Sequence, residues 1–410
     1  MTTSRERVMS AVAHREPDRV PVDFGGHRSS GIMAIAYARL KEALGITSGD
    51  IYVYDVVQQL AIVEPEVLDR FGIDVIELGR GFALEEADWR DWVLPDGTPC
   101  KIPSFIHPVR VGDDWHVYHA DGTLIAIQKA GSLYFEQTCF PLMGTADTQF
   151  ADLQTPQEKV LWSAMSSPPA PLGFDPDGLA ALEAGARALR ARSDRAIIGL
   201  FGGNQLELGQ MLFRNDQFFL MMAGEPQRTH KFLDKLVEMH LANLEKFLSA
   251  VGPYVDIVMF GDDLGMQTGP QISPKMYHEF FQPRQKLMWN RAKELSQAKV
   301  MLHCCGGVYP LIPGLIDAGL DILQPIQTTS DNMEADRLKS EFGRDLCLWG
   351  GGSNTRDVLP LGTPEQVVED VRRRVDVLNP GGGFVFQQIH NIMADVPPEN
   401  VISMFDAVND

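Results

Sequence analysis

The chain has 410 residues, 44% of them hydrophobic, and its formal net charge at pH 7 is -19. So acidic a protein is repelled by nucleic acid and by anionic membranes, and we expect neither as a partner. With no apolar run of about 18 residues, no signal-peptide core and five scattered cysteines, the sequence predicts a cytoplasmic protein with reduced thiols and no membrane span.

Eight short apolar runs predict buried strands. They are residues 19–24, 74–78, 196–200, 256–260, 299–304, 321–326, 346–349 and 383–388. Most are continuous rather than alternating, as expected for parallel strands that are covered on both faces. Between the strands, helical patterns occupy residues 180–192, 226–250, 274–298 and 363–378.

This repeated strand–helix alternation predicts a single α/β domain over residues 1–410, with the (β/α)8 TIM barrel as the best count. A doubly wound sheet is the alternative, although no glycine-rich dinucleotide fingerprint follows any strand. Residues 84–154 break the rhythm and predict a hairpin-rich insertion after the second strand, placed near the active-site face. The Ser- and Pro-rich residues 166–171 predict a loop or linker.

The run His303-Cys304-Cys305-Gly306-Gly307 ends the fifth predicted strand. Because side chains alternate along a strand, His303 and Cys305 share one face and Cys304 points to the other. Imidazole and thiolate are zinc ligands, and barrel enzymes place catalytic groups at the C-terminal ends of strands. The pair predicts half of a zinc site. The alternative is that Cys305 is a small buried residue beside a hydrogen-bonded histidine.

Catalytic zinc commonly takes three protein ligands, so another strand end must supply the third. His390 follows the last predicted strand and is one candidate. Asp262 and Asp263 follow the fourth strand and can ligate a metal or hold a ligating imidazole, with a helix-capping turn as their alternative. Glu207 is a further acidic candidate for catalysis, and capping of a helix N-terminus explains it equally well.

A site that contains a thiolate favours one kind of zinc chemistry. Thiolate ligands make the metal less Lewis acidic, which suits activation of a thiol better than hydrolysis by a bound water. A zinc-bound thiol loses its proton near neutral pH, stays nucleophilic and can accept a methyl group. The sequence has no His-Glu-x-x-His run of the kind that indicates peptide hydrolysis.

Several stretches together resemble the uroporphyrinogen decarboxylase superfamily over nearly the whole chain. They are residues 5–22, 199–247, 260–284 and 390–400, together with His303-Cys304-Cys305-Gly306 and Trp349-Gly350-Gly351. The resemblance implies a single (β/α)8 barrel whose site lies at its C-terminal face. One branch of the superfamily decarboxylates uroporphyrinogen. The other transfers methyl groups between corrinoid proteins and a thiol or a folate.

The decarboxylase branch fits this chain poorly. Its Met-Arg-Gln-Ala-Gly-Arg-Tyr motif after the first strand is replaced here by residues 23–30, which keep one arginine, Arg28. Its aspartate after the second strand has no counterpart in residues 76–81. The resemblance still implies a pocket here, and we expect His27, Arg28 and Asp262 to bind the cofactor.

The methyltransferase branch fits better, because His303 and Cys305 match its His-x-Cys zinc motif. Its third ligand is a cysteine after the last strand, and His390 falls at about that place. The resemblance therefore implies a His/Cys/His site, with Asp263 as another possible third ligand, or else weak or lost zinc binding. The alternative is that His390 is an ancestral residue of the pocket and not a ligand, since the decarboxylases carry a histidine nearby.

The sequence hypothesis is thus a zinc-assisted, corrinoid-dependent methyltransferase with Asp263, Glu207 and His390 as catalytic candidates. A partner corrinoid protein would supply the cobalamin, a small molecule would accept or donate the methyl group, and the chain would form a homodimer as relatives often do. Two alternatives stay open, namely a decarboxylase of uroporphyrinogen or a smaller carboxylate, and a non-catalytic corrinoid or tetrapyrrole binder.

Overall fold

The computed structural model describes residues 2–164, 170 and 172–409. Its centre is a parallel sheet, and each of its seven strands lies on a predicted run. In spatial order the strands are Val75–Glu77, Ala196–Gly202, Ile257–Gly261, Lys299–His303, Ile322–Gln324, Cys347–Trp349 and Phe384–Val385. All six pairings between neighbours are parallel, so their C-terminal ends meet at one end of the sheet.

Residues 21–23 close this sheet into a barrel. Val22 bridges Phe386 in parallel, and the Asp23 N–H donates to the Phe386 carbonyl at 2.8 Å. On the other side the Asp74 N–H donates to the Val22 carbonyl, also at 2.8 Å. The segment is therefore the first of eight barrel strands, and the strands listed above are the second to the eighth. The prediction of a TIM barrel is confirmed, since a doubly wound sheet would leave two open edges.

The predicted helices are present between the strands, with small shifts of their ends. The α-helices of the described residues, predicted or not, are Ser4–Val12, Ala34–Ala43, Pro65–Arg70, Gln154–Gln157, Pro176–Arg192, Leu206–Phe213, Asn215–Gly224, Pro226–Val251, Pro274–Met276, Gln282–Leu295, Ile312–Asp317, Ala335–Phe342, Pro364–Leu378 and Pro398–Asn409. The helix predicted over residues 274–298 ends at Leu295 and is interrupted by a π-helical turn, Tyr277–Phe281. Among the described residues, no helix combines the length and apolar character that crossing a membrane requires.

The barrel interior is apolar at its N-terminal end. Inward side chains of the strands form one buried cluster with Val8, Ala11 and Val12 of the first helix, which covers this end of the barrel. Cys347 and Trp349 of the seventh strand are fully buried in the same cluster. Because this end is filled, polar chemistry is left to the opposite, C-terminal face.

The predicted insertion after the second strand is a separate set of antiparallel strands. Trp89–Val93 pairs with Pro99–Pro103, while Val109–Val111, Asp114–Tyr118, Leu124–Gln128 and Glu136–Gln137 form a four-stranded sheet. The insertion is tied to the barrel through the helix Leu206–Phe213 and its C-terminal turn. Gln137 donates to the Met211 carbonyl at 2.6 Å, and the Leu142 N–H donates to the Leu212 carbonyl at 2.8 Å. The predicted linker, residues 166–171, lies outside the described residues except for Ala170.

Candidate functional site

A cavity of about 500 Å³ opens at the C-terminal face of the barrel. It is lined by the ends of the third, fourth and fifth strands and, beyond the insertion, by Gln157 and Trp162. Five of the residues predicted from the sequence line it, namely Arg28, Glu207, Asp263, His303 and His390. Residues that are distant along the chain are thus brought to one cavity because they follow the ends of parallel strands.

His303 and Cys305 meet at the end of the fifth strand. The His303 Nε2 lies 3.4 Å from the Cys305 Sγ. Cys304 points to the other side, is fully buried, and its Sγ accepts the Leu264 N–H at 3.3 Å. The alternation of side chains predicted for this run is confirmed.

His390 joins this pair from the loop after the eighth strand. One ligand atom each from His303, Cys305 and His390 lie within 4.8 Å of one another. Tetrahedral zinc, with bonds of about 2.0 Å to nitrogen and about 2.3 Å to sulfur, would place a ligating nitrogen and a ligating sulfur about 3.5 Å apart. The measured 3.4 Å between the nitrogen and the sulfur fits this geometry, and two imidazoles with a thiolate form a donor set that zinc accepts.

The protonation of the two imidazoles agrees with a ligand role, whereas the thiol has to lose its proton before it can bind a metal. Burial lowers the pKa of His303, and it lowers the pKa of His390 to about 3, so both imidazoles are neutral at physiological pH. Burial, followed by the nearby Asp263 carboxylate, raises the pKa of the Cys305 thiol. A bound metal would shift that equilibrium toward the thiolate, because only the thiolate is a good ligand.

Asp263 and Glu207 form a linked pair of carboxyl groups beside this cluster. The Asp263 Oδ1 accepts the Cys305 N–H at 2.7 Å and lies 3.6 Å from the His303 Nε2. The Glu207 Oε2 accepts the Asp263 N–H at 3.0 Å and the Asn204 side-chain amide at 2.6 Å. Burial, with Asp263 and Asp262 close by, raises the pKa of Glu207 well above its usual value and favours the neutral acid.

Asp262 faces away from the cavity. Its carboxylate oxygens accept the N–H groups of Leu206 and Glu207, both at 3.0 Å, so it caps the helix Leu206–Phe213. Asp262 therefore has the helix-capping role that the sequence offered as the alternative to metal binding. The helix that it caps precedes Asp262 in the chain rather than following it. Burial raises the pKa of Asp262 to about 7 against the opposing effect of these donors.

His27 and Arg28 occupy different environments. His27 is fully buried; its Nε2 lies 3.3 Å from the Asp23 carboxylate, and its Nδ1 accepts the Ser29 N–H at 3.1 Å. Arg28 lines the cavity and donates to the Asp55 carboxylate at 2.9 Å. Of the two, only Arg28 can meet a molecule in the cavity without rearrangement, and its charge is already balanced by Asp55.

The sequence did not single out several polar residues of the site, and two of them are buried glutamines linked to the His303 Nδ1. Gln324 ends the sixth strand, and its Oε1 lies 2.6 Å from the His303 Nδ1. Gln387 lies just after the eighth strand and accepts a hydrogen bond from Gln324. Both glutamines could have been suspected from the sequence, because each is a polar residue near the C-terminal end of a predicted apolar strand.

Taken together, the fold and the cluster define a TIM-barrel protein with a candidate three-ligand metal site at its C-terminal face. Residues 180–410, more than half of the chain, match the family model described as "Uroporphyrinogen decarboxylase (URO-D)". The chain therefore belongs to the uroporphyrinogen decarboxylase family. The matched part contains Glu207, Asp263, His303, Cys305 and His390.

Curated relatives agree with this assignment at low identity. The chain is 26% identical over 196 residues to a uroporphyrinogen decarboxylase of Pseudoalteromonas atlantica, and 30% identical over 193 residues to that of Psychromonas ingrahamii. Each alignment covers 46% of this chain and 50% of the relative. The chain thus spans about half the length of the curated relatives that it matches.

A solved structure is similar over the full length. It is a methyltransferase from Methanosarcina mazei, with a TM-score of 0.59, 15% sequence identity, and coverage of 100% of this chain and 99% of that one. At this identity the likeness establishes the fold alone. It includes the region before residue 180, where the family model finds no match.

Proposed function

We propose that this protein is an enzyme that moves a methyl group between a corrinoid, carried by a partner protein, and a thiol or folate acceptor. The observation that carries the proposal is the cluster of His303, Cys305 and His390, whose ligand atoms lie within 4.8 Å at the C-terminal face of the barrel. These residues would hold zinc, which lowers the pKa of a bound thiol while leaving it nucleophilic.

The residues around the cluster have roles that their contacts support. Asp263 holds the Cys305 backbone in place and presents a carboxylate that can take up the proton of an acceptor thiol. Burial raises the pKa of Glu207 and favours its neutral acid, so Glu207 would be able to donate a proton in the cavity. The cavity would receive the methyl-bearing cofactor and exclude water from the reacting atoms.

The setting of the reaction is also part of the proposal. Gln157 and Trp162 line the cavity, and the corrinoid of a partner protein would enter on their side. We place the enzyme in the cytoplasm, as one barrel domain over residues 1–410, with a homodimer as its assembly. A small-molecule methyl acceptor, or a donor in the reverse direction, completes the set of partners.

Uroporphyrinogen decarboxylation is the second candidate, because the curated relatives carry that name. The charge of the cavity disfavours it. Among the described residues that line the cavity, Arg28 is the only arginine or lysine, and Asp55 already balances it. Glu207 and Asp263 line the same cavity and would repel a tetrapyrrole that carries many carboxylates.

Metal analysis tests the proposal directly. Purified protein should contain about one zinc per chain, and Cys305→Ala should lose it. Cys347→Ala is the matched control, because Cys347 is a fully buried cysteine of the seventh barrel strand and is not one of the three candidate ligands. Absence of zinc from the wild-type protein, or unchanged zinc in Cys305→Ala, would contradict the zinc site.

Two activity assays separate the candidate functions. With methylcobalamin and a small thiol, zinc-loaded protein should demethylate the cobalamin, and the visible absorbance should change accordingly. With uroporphyrinogen, we expect no coproporphyrinogen, and its formation would instead establish the decarboxylase. A visible absorbance band that copurifies with the protein, without turnover in either assay, would favour the non-catalytic binder.

A further inference from the structure

Two buried glutamines connect the His303 ring to backbone carbonyls in the loops after the first and eighth strands. The Gln387 Nε2 donates to the carbonyls of Ser29 and Ile389, at 2.9 and 3.3 Å. The Gln324 Nε2 donates to the Gln387 Oε1 at 3.1 Å, and the Gln324 Oε1 lies 2.6 Å from the His303 Nδ1. Both glutamine side chains are fully buried, so water does not compete for these bonds.

The backbone carbonyls at one end of this hydrogen-bonded series determine which way the side-chain amides of Gln387 and Gln324 face. Two carbonyl oxygens can only accept, so the end of Gln387 beside them must be its NH2 group. Its Oε1 then faces Gln324, which must present its own NH2 group there. The Gln324 Oε1 is left facing the His303 Nδ1, and an oxygen in that position requires Nδ1 to carry the proton.

We propose that Gln324 and Gln387 are positioning residues that hold the proton of His303 on Nδ1 and leave the Nε2 lone pair free for a metal. The inference rests on the proposed function only in naming that metal. It assigns to an amide pair the task that a carboxylate or a backbone carbonyl commonly performs for ligating histidines. An amide can turn its NH2 group instead of its oxygen toward the ring, whereas a carboxylate presents an oxygen either way. Gln387 prevents the unfavourable orientation of the Gln324 amide.

The tautomer can be measured without metal. In metal-free protein labelled with 15N-histidine, long-range 1H–15N spectra should show His303 protonated on Nδ1, with its peaks assigned by their loss in His303→Gln. In Gln387→Leu the Nε2–H tautomer should become populated, because Gln324 is free to turn its NH2 group toward the ring. Wild-type His303 protonated on Nε2, or a tautomer unchanged in Gln387→Leu, would overturn the inference.

Metal affinity provides a second and independent measurement. By competition with a chelator, Gln387→Leu should bind zinc about 10-fold more weakly than wild type. Gln388→Leu is the matched control, since Gln388 is equally buried and its Nε2 donates to the carbonyls of Ser30 and Gly31. This control should keep zinc affinity within about twofold, because Gln388 is not part of the hydrogen-bonded series from Gln387 through Gln324 to His303.

A double-variant cycle separates orientation from mere packing. Gln324→Glu should keep zinc affinity, because the buried neutral acid can donate its O–H to the Gln387 Oε1 while its other oxygen accepts from the His303 Nδ1. In that background Gln387→Leu should have no further effect, since a carboxylate cannot be turned the wrong way. An equal loss from Gln387→Leu in both backgrounds would mean that Gln387 acts only structurally, and would overturn the inference.

The two proposals fail in different ways. If the protein binds no zinc but His303 is protonated on Nδ1 and responds to Gln387→Leu, then the zinc-assisted function fails while the role of the glutamines stands. If zinc binds at Cys305 but the tautomer does not respond, the function stands and the inference is wrong.

Discussion

The Asp263 Oδ1 accepts the backbone N–H of Cys305 at 2.7 Å. This bond joins the loop after the fourth strand to the end of the fifth and sets the position from which the Cys305 side chain departs. It also gives Asp263 a task that needs an acceptor oxygen but no negative charge. The role of Asp263 in metal binding can therefore be separated from its charge.

We expect Asp263→Asn to keep zinc affinity within about threefold and Asp263→Ala to lose about 10-fold. The amide oxygen of asparagine can still accept the Cys305 N–H, while alanine leaves that group unbonded. Chelator competition with the purified variants measures both values. Equal and large losses in the two variants would show that the Asp263 carboxylate is itself a ligand.

Replacement of His390 tests the third ligand. His390→Ala should weaken zinc binding by about 100-fold or more, since removal of a ligand costs more than the 10- to 100-fold loss typical of a group that only supports one. His390→Cys should retain the metal, because a thiolate is also a zinc ligand. In cobalt-substituted protein, His390→Cys should strengthen the near-ultraviolet band from sulfur-to-metal charge transfer. Full zinc affinity in His390→Ala would exclude His390 as a ligand.

His240 should make stability depend on pH. It is buried beneath the site, with its Nε2 3.0 Å from the Asn204 carbonyl, and burial lowers its pKa from 6.5 to about 4. Between these values the unfolded chain binds a proton that the folded chain does not, so the free energy of unfolding falls as the pH falls. The contribution from pH 7 to pH 5 is about 2 kcal/mol.

Urea unfolding at pH 7 and pH 5 checks this contribution. His240→Gln should show a loss about 2 kcal/mol smaller than wild type, because glutamine can donate to the same carbonyl without titrating. His278→Gln, at an exposed position, is the control and should behave as wild type. The same acid-induced loss in His240→Gln as in wild type would contradict the assignment.

Asp74 should be essential to barrel closure. Its fully buried carboxylate accepts from Arg7 at 2.7 Å, from Arg19 at 2.8 Å and from the Val22 N–H at 3.0 Å. Asp74→Ala leaves the buried Arg7 guanidinium without this partner and should lower the free energy of unfolding by about 3–5 kcal/mol. Urea unfolding at pH 7 measures the loss.

The surface pair between Asp406 and Arg70 provides the control for that measurement. Its two side chains are 41% and 45% exposed and lie 2.7 Å apart. Asp406→Ala should therefore cost under about 1 kcal/mol. Similar losses in Asp74→Ala and Asp406→Ala would show that the buried carboxylate has no special role in closing the barrel.

Much of the fold was predictable because it depends on local patterns. Each barrel strand must be apolar on both faces, and the eight apolar runs of the sequence coincide with the eight strands. The helix predicted over residues 363–378 is observed at Pro364–Leu378, with the Thr363 side chain accepting the Gln366 N–H at its N-terminus. The extent of the first strand was harder to predict. Its pairing with the neighbouring strands is confined to hydrogen bonds at residues 21–23, fewer than the apolar run suggested.

Within the site, the sequence by itself determined that His303 and Cys305 share a face, because alternation along a strand is a property of the backbone. Only the tertiary structure decided what joins them. His390 comes from a strand end that is distant in the chain, and Asp262 turned out to cap a helix. Gln324 contacts the His303 ring from the neighbouring strand, and Gln387 holds Gln324. These contacts depend on closure of the sheet, which no local pattern of residues encodes.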